Sequence, residues 1–337
     1  MLREGGHDVV GVFMRHGQEG ESNVDATTCN RQGCCSAADA ADARRVAQML
    51  DIPFYAVNFE KEFQTIIDHF VSEYTAGRTP NPCIQCNTLI KFGRLFEYAD
   101  SIGAKYVATG HYARLVETEG EETALCRGLD DAKDQSYVLF GIRREFLPRL
   151  MFPVGEYRKP EIRRIAERLG LRVADKRDSQ EICFVPERNH AAFVRSKRGD
   201  IDTSGDIVDT KGQVLGHHDG FERFTVGQRK GIGIAMGEPC YVVRIEAQTR
   251  WVVIGPKEEL AVSRLTANET NWLTDPGGAI SCEVKIRYRS PAVEGTVQIL
   301  PGNRFEAELC RPCWGVAPGQ AAVCYRGDRV LGGGWIE

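Results

Sequence analysis

The sequence predicts an α/β domain built on a parallel sheet, followed by a small mostly-β central domain and a C-terminal β-barrel. Strand-like and helix-like stretches alternate through the first half of the 337 residues, a pattern typical of parallel sheets. One short strand runs directly into Gly110 and His111, and open α/β sheets hold ligands at the carboxyl ends of their strands. Later in the chain, glycine-punctuated alternating stretches predict antiparallel β units.

The hydrophobic period and the capping signals place the individual elements. In chain order they are a helix end at 1–6, a strand at 8–14, a helix beginning at Ser36, a strand at 54–59, an amphipathic helix from 63 to about 77 and a strand at 106–109. The change from alternating strand-like and helix-like stretches to glycine-punctuated β stretches divides the chain into three domains, at 1–195, 196–264 and 265–337.

Composition excludes some classes of protein. No apolar run approaches the roughly 20 residues of a membrane helix, and the first residues lack a signal-peptide core, so we expect a cytoplasmic protein with no membrane partner. The formal net charge is −4, yet residues 141–200 carry 15 Lys and Arg against 9 Asp and Glu. This basic segment either holds a nucleic-acid backbone or is a solvated helix face, and charge alone leaves both interpretations open.

Two cysteine-bearing loops are the strongest chemical signal. The segment 77–87 (GRTPNPCIQCN) contains Cys83 and Cys86, and we expect Cys86 to lie just before a helix N-terminus, where the dipole favours a thiolate. Cys183 lies in a second polar loop much later in the chain. Three thiols from two loops suit a persulfide relay, an iron site or separate packing cysteines, and their spacing does not decide among these.

Several sequence blocks, in order along almost the whole chain, resemble the tRNA-specific 2-thiouridylase family of the PP-loop ATP pyrophosphatase superfamily. They are GRTPNPCIQCN at 77–87, ATGHY at 108–112, DDAKDQSY at 130–137, FPVG at 152–155, DSQEICF at 178–184, TVGQRKGIG at 225–233, KIRYR at 285–289, APGQ at 317–320 and LGGG at 331–334. The resemblance implies an adenine nucleotide alpha hydrolase-like first domain. It also implies ATP-dependent sulfur transfer to C2 of the wobble uridine, position 34, through an adenylated intermediate and a cysteine persulfide.

The resemblance assigns roles to matching positions. Cys86 matches the nucleophile and Cys183 the cysteine that carries the persulfide, while Met14 and Gly110 match positions beside the nucleotide. The positions that match contacts with the target base are Asn81, Pro82 and Cys83, and those that match other tRNA contacts are His111, Lys133, Asp134, Gln135, Arg287, Tyr288 and Gln320. The implied co-substrate is ATP with Mg²⁺, the implied partners are tRNA and a sulfur-donor protein, and the implied state is a monomer that forms a disulfide bond.

Two features depart from the family. Its opening serine-rich loop, which binds pyrophosphate at a helix N-terminus, has no match here, so we expect the first domain to be N-terminally truncated. Either the upstream coding sequence supplies that loop or the chain is an inactive tRNA-binding or sulfur-carrying remnant. Cys83 replaces an aspartate, and with Cys86 and Cys183 it offers three thiolates for a [4Fe–4S] cluster. An amidotransferase-type ligase of the same fold is the third interpretation, although it would not need the paired cysteine loops.

Overall fold

The computed structural model describes residues 1–15, 37–117, 122–171, 182–185, 189–235 and 237–337. The helices are α1 Ala37–Met49, α2 Glu60–Thr75, α3 Pro82–Gln85, α4 Leu95–Ser101, α5 Lys159–Arg168 and α6 His190–Lys197, with a π-helix at Cys86–Arg94 and 3₁₀ helices at Ser136–Leu139, Arg144–Arg149, Phe221–Arg223 and Lys257–Leu260. The strands are β1 Gly11–Arg15, β2 Phe54–Asn58, β3 Val107–Ala108, β4 Ala113–Glu117, β5 Thr123–Arg127, β6 Leu150–Met151, β7 Gly205–Asp209, β8 Val214–His218, β9 Tyr241–Glu246, β10 Trp251–Gly255, β11 Ala261–Trp272, β12 Ala279–Lys285, β13 Val293–Leu300, β14 Arg304–Trp314, β15 Ala321–Arg326 and β16 Arg329–Ile336.

The first domain contains two parallel strand pairs, which confirms the predicted class. Strand β1 pairs with β2 from Gly11 opposite Phe54 onward, and β3 pairs with β6. Helix α2 turns Phe63, Ile66 and Phe70 inward, as its period predicts. The predicted cap at Ser36 lies outside the described residues.

The first residues form one helical turn that ends at Gly6. His7 N–H donates to the Leu2 carbonyl at 3.1 Å and Gly6 N–H donates to the Arg3 carbonyl at 3.0 Å. These two bonds are the pattern of a glycine-terminated helix end, and Gly6 has the required positive φ of 80°. The helix end predicted at residues 1–6 is therefore confirmed.

The central region is a four-stranded sheet in the order β8-β7-β10-β9. Strands β7 and β10 are parallel, whereas the outer pairs are antiparallel. The β-branched side chains of Ile207, Val242, Val252 and Ile254 alternate onto one face and pack against Phe221. The strands predicted from alternation are present here, and β9 and β10 are antiparallel neighbours.

Six C-terminal strands close into a barrel in the order β11-β14-β13-β12-β15-β16, with β16 pairing back onto β11. The sheet also extends beyond β16 to the β5-β4 hairpin of the first domain. Leu125 of that hairpin shares one hydrophobic core with Tyr137, Phe140, Val323 and Tyr325. First domain and barrel are thus joined by a common sheet and a common core. No helix in the described ranges has the length and apolar character needed to cross a bilayer.

Candidate active site

The Cys83 and Cys86 pair lies at the start of one continuous helix. Asn81 is the N-cap, with its Oδ1 accepting a hydrogen bond from Ile84 N–H at 3.4 Å, and Pro82 takes the first helical position. Cys83 is exposed in the first turn, whereas Cys86 is half-buried and its N–H donates to the Pro82 carbonyl. The expectation that Cys86 precedes the helix was wrong, because Pro82 starts the helix one turn earlier.

Cys86 is also the first residue of the π-helix that runs to Arg94. Short π segments inside α-helices occur frequently at functional sites, because they change which side chains share a face. The next residue, Asn87, is buried and donates from Nδ2 to the Val138 carbonyl at 2.9 Å. Asn87 therefore fixes the first turn of the π-helix to the protein interior, whereas the neighbouring Cys86 remains half-buried.

The structure brings Cys86 and Cys183 to the same apolar cluster. Both side chains pack against it, and so does Met14 at the end of β1; the cluster consists of Phe59, Phe63, Ile66 and Ile90. The neighbouring Phe184 anchors the Cys183 loop, because its ring meets Phe63 edge-on at 5.5 Å between centroids. The preceding motif residues 178–181 lie outside the described residues.

The three thiols do not form a ready metal site. In the described ranges, no group of three His, Cys, Asp or Glu side chains is arranged to hold a metal ion. Cys83 is exposed, whereas Cys86 and Cys183 pack against apolar side chains. A cluster ligated by three thiolates needs all three sulfur atoms around one volume, and these positions do not fit that requirement.

His111 is buried at the end of β3, where the sequence predicts a ligand site. Its Nε2 lies 3.4 Å from the Lys91 ammonium and its Nδ1 lies 2.7 Å from Thr109 Oγ1. Burial, and then the Lys91 charge, hold the pKa of His111 well below its usual value. The adjacent Gly110 is exposed, and a Cβ added there would meet no atom of the described residues within 4 Å.

Sequence reasoning missed Lys91. The signal for it was a cation placed between Ile90 and Phe92, both of which are buried in the helix. A lysine between two core positions has to direct its ammonium to a polar partner. The imidazole of His111 is that partner here.

The segment 133–135 is partly internal. The Asp134 carboxylate is buried and accepts hydrogen bonds from Gly128 N–H at 3.1 Å and Ser136 N–H at 3.0 Å. Gln135 Oε1 accepts a hydrogen bond from Tyr112 N–H at 2.9 Å, while Lys133 is half-buried. Asp134 and Gln135 therefore shape the loop that presents Lys133.

Arg287 and Tyr288 lie where the barrel meets the other two domains. Arg287 donates from Nη2 to the Val226 carbonyl at 2.7 Å, and burial lowers its pKa. Burial also raises the pKa of the nearby Tyr74 to about 12, against the opposing charge of Arg287. Tyr288 is 37% exposed, with the Lys285 ammonium 5.9 Å from its ring centroid. An exposed ring beside a cation suits stacking on a base.

Gln320 lies inside the protein against the loop that precedes the helix bearing Cys83 and Cys86. Its Nε2 donates to the Thr79 carbonyl at 2.8 Å and to the Pro80 carbonyl at 3.2 Å, and its side chain is buried. Thr79 N–H in turn donates to the Pro318 carbonyl at 2.8 Å. The APGQ block of the barrel thus binds the backbone that leads to Cys83 and Cys86.

Comparisons with known proteins agree along the whole chain. Residues 1–187 match the tRNA methyl transferase HUP domain, 191–256 the tRNA methyl transferase PRC-barrel domain and 262–336 the aminomethyltransferase beta-barrel domain. The tRNA-specific 2-thiouridylase MnmA of Rhodopirellula baltica is 50% identical over 367 residues, covering 100% of this chain and 92% of the relative. The proteins of the same name from Geobacter metallireducens and Lachnoclostridium phytofermentans are 48% and 45% identical, again over 100% of this chain and over 92% and 94% of the relatives. This chain therefore belongs to the tRNA-specific 2-thiouridylase MnmA family.

Proposed function

We propose that this protein transfers sulfur to C2 of uridine 34 of tRNA in a reaction driven by ATP. The supporting observation is the packing of Cys86 and Cys183, from two distant loops, against one apolar cluster. The thiol that carries sulfur and the thiol that later releases it from the carrier must come within bonding distance of each other. Met14, the position assigned beside the nucleotide, touches the same cluster, so activation and sulfur delivery would share one site.

The proposed reaction has three steps. The C2 oxygen of the uridine attacks the α-phosphate of Mg²⁺-bound ATP, pyrophosphate leaves, and C2 gains AMP as a leaving group. The terminal sulfur of a Cys183 persulfide then bonds to C2 and AMP departs. Finally the Cys86 thiolate attacks Sγ of Cys183, which breaks the bond to the delivered sulfur and leaves a Cys86–Cys183 disulfide for an external dithiol to reduce.

The other motif residues have proposed roles in lining the target base and binding the tRNA. Asn81, Pro82 and Cys83, at the exposed start of the helix, would line the extruded base. Lys133, Arg287 and Tyr288 would meet the tRNA, and His111 would act as a neutral imidazole. Asp134 and Gln135 would act indirectly by holding the Lys133 loop. We retain the division at residues 195 and 264, a monomeric state and a separate sulfur-donor protein as parts of this proposal.

The test is a thiolation assay with mass spectrometry. The chain, unmodified tRNA, ATP with Mg²⁺ and a persulfide donor are combined, and digested tRNA is searched for 2-thiouridine. Product that requires ATP supports the proposal, with an ATP-free reaction as the control. Binding of tRNA without product under every donor condition would instead favour an inactive remnant, and product on a free amino acid or nucleotide would favour a ligase.

Because no three of the described thiols are grouped for a metal, we propose the persulfide relay over an iron–sulfur mechanism. Anaerobic purification followed by iron and acid-labile sulfide assays separates the two. An active protein without iron supports the persulfide relay, whereas about four iron and four sulfide per chain, lost in Cys83→Ser, would support the cluster.

A further inference from the structure

We infer that Gln320 is a positioning residue through which the C-terminal barrel fixes the start of the nucleophile helix. The resemblance assigns Gln320 to tRNA contact, but the structure gives its amide an internal role. This inference rests on the proposed role of Cys86 as nucleophile. It is nonetheless open to a test in the protein alone.

The Gln320 amide nitrogen is fully used within the protein. A carboxamide nitrogen has two hydrogens, and its two acceptors here are the carbonyls of Thr79 and Pro80, at 2.8 and 3.2 Å. The side chain is 9% exposed, so this nitrogen has no donor to spare for an RNA base.

The barrel holds Gln320 itself rigidly. Its backbone N–H donates to the Ala317 carbonyl at 3.1 Å, and its carbonyl accepts from Ile336 N–H at 2.8 Å at the end of β16. The preceding Gly319 has a φ of +85°, and a Cβ built there would lie 3.1 Å from the Thr79 carbonyl oxygen. This close approach of two backbones is possible because residue 319 is glycine.

The held segment leads directly to the reactive helix. Thr79 and Pro80 are followed by Asn81, whose side chain caps the helix that contains Cys83 and Cys86. On the other side of the loop, Gly77 lies against the central domain, where an added Cβ would come within 3.1 Å of Ile245. The loop is therefore clamped between two domains, and Gln320 supplies the side-chain contact from the barrel.

The experiment measures this clamp in the full chain without ATP or tRNA. Gln320→Met keeps the volume and removes both donors, and Gln320→Asn keeps the amide but shortens its reach. Hydrogen exchange of the Thr79 amide and iodoacetamide labelling of Cys86 are followed by peptide mass spectrometry. We expect Thr79 exchange to accelerate about tenfold, the factor for one net hydrogen bond, and the labelling rate of Cys86 to rise while that of Cys183 does not.

The matched control is Gln298→Met, an exposed glutamine on β13 of the same barrel, which should change neither rate. In the thiolation assay, the Gln320 variants should lower kcat with little change in KM for tRNA. Unchanged Thr79 exchange and Cys86 labelling in both variants, with weaker tRNA binding, would overturn the inference and restore a direct tRNA contact. Altered exchange and labelling in a chain that never thiolates tRNA would support the clamp and count against the proposed function alone.

Discussion

The ammonium nitrogen of Lys91 lies 3.4 Å from Nε2 of His111, so a lysine of the π-helix meets a buried imidazole at the end of β3. Because Nε2 faces a cation, the proton of the neutral ring belongs on Nδ1, which donates to Thr109 Oγ1 at 2.7 Å. A second proton would place two cations in contact in a buried site. His111 therefore acts as a neutral hydrogen-bonding group at physiological pH.

Stability should fall as the pH drops below about 6.5, the ordinary histidine pKa. The pKa of His111 is lower in the folded state than in the unfolded state. As the pH falls, the unfolded chain takes up a proton first and is therefore stabilised relative to the folded protein. His190 and His218, whose pKa values burial also lowers, add to the effect. Between about pH 7.5 and 5.5, we expect the melting temperature of His111→Gln to fall by several degrees less than that of the wild type.

The exposed Gln298→Met provides the control, because it removes no titratable group, and it should follow the wild-type curve. Differential scanning fluorimetry in buffers of equal ionic strength measures all three proteins. A wild-type melting temperature that rises toward acid pH would contradict the neutral assignment.

Cys86→Ser and Cys183→Ser should each reduce 2-thiouridine formation to below about a thousandth of wild type, because each removes one partner of the sulfur transfer. Neither substitution removes a charge that meets phosphates, so the tRNA dissociation constant should stay within about threefold. The matched control is Cys310→Ser, an exposed cysteine of the barrel, which should keep full activity. Substantial thiolation by either active-site variant would contradict the division of roles.

Binding of tRNA should weaken by roughly tenfold or more between about 50 and 200 mM salt. Helix α5 has no buried residue, and Arg163 and Arg164 are exposed on it, so this part of the basic segment is available to phosphates. Replacing both with Gln should reduce the slope of log affinity against log salt by about two. The double replacement of Arg264 and Arg311 on the barrel is the control, and equal slopes for all three proteins would identify α5 as a solvated face only.

Glu222→Gln should destabilise the protein by about 3 kcal/mol. The carboxylate is 0% exposed, accepts hydrogen bonds from Thr203 Oγ1 and Arg195 Nε, and forms an ion pair with Arg198 Nη1 at 2.7 Å. Its neutralisation leaves the Arg198 side chain, itself 9% exposed, without a buried counter-charge. Urea denaturation measures the loss, and the exposed Glu258→Gln should stay within about 0.5 kcal/mol of wild type. If Glu222→Gln lowers the free energy of unfolding by less than about 1 kcal/mol, solvent screens the ion pair between Glu222 and Arg198.

Structural features that depend on residues close in the sequence could be predicted from local patterns. The parallel-sheet class, helix α2 and the helix end at Gly6 follow from period and capping signals that act within a few residues. The predicted start of the helix that bears Cys86 was off by one turn, because the pattern did not show which proline begins it. Pro82 does, since Asn81 supplies the cap.

Contacts between distant segments could not be predicted in the same way. The bonds from Gln320 to Thr79 and Pro80 join positions from opposite ends of the chain, and no local period reports such a pairing. The internal partners of Asp134 and Gln135 likewise depend on how a loop folds back on Gly128 and Tyr112. The family blocks name these polar residues, but they do not show that some of their hydrogen bonds lie within the fold.

The β4-β5 hairpin has a consequence for synthesis of the chain. Cys126 of β5 finds its partner Arg329 only after the ribosome has added roughly two hundred more residues, which takes about 10 to 40 s at ordinary elongation rates. During that interval β5 exposes an unpaired edge on a nascent chain that cannot finish its own domain. Folding of the first domain is thereby tied to completion of the last strand, and a translation pause before β16 should increase aggregation or chaperone dependence.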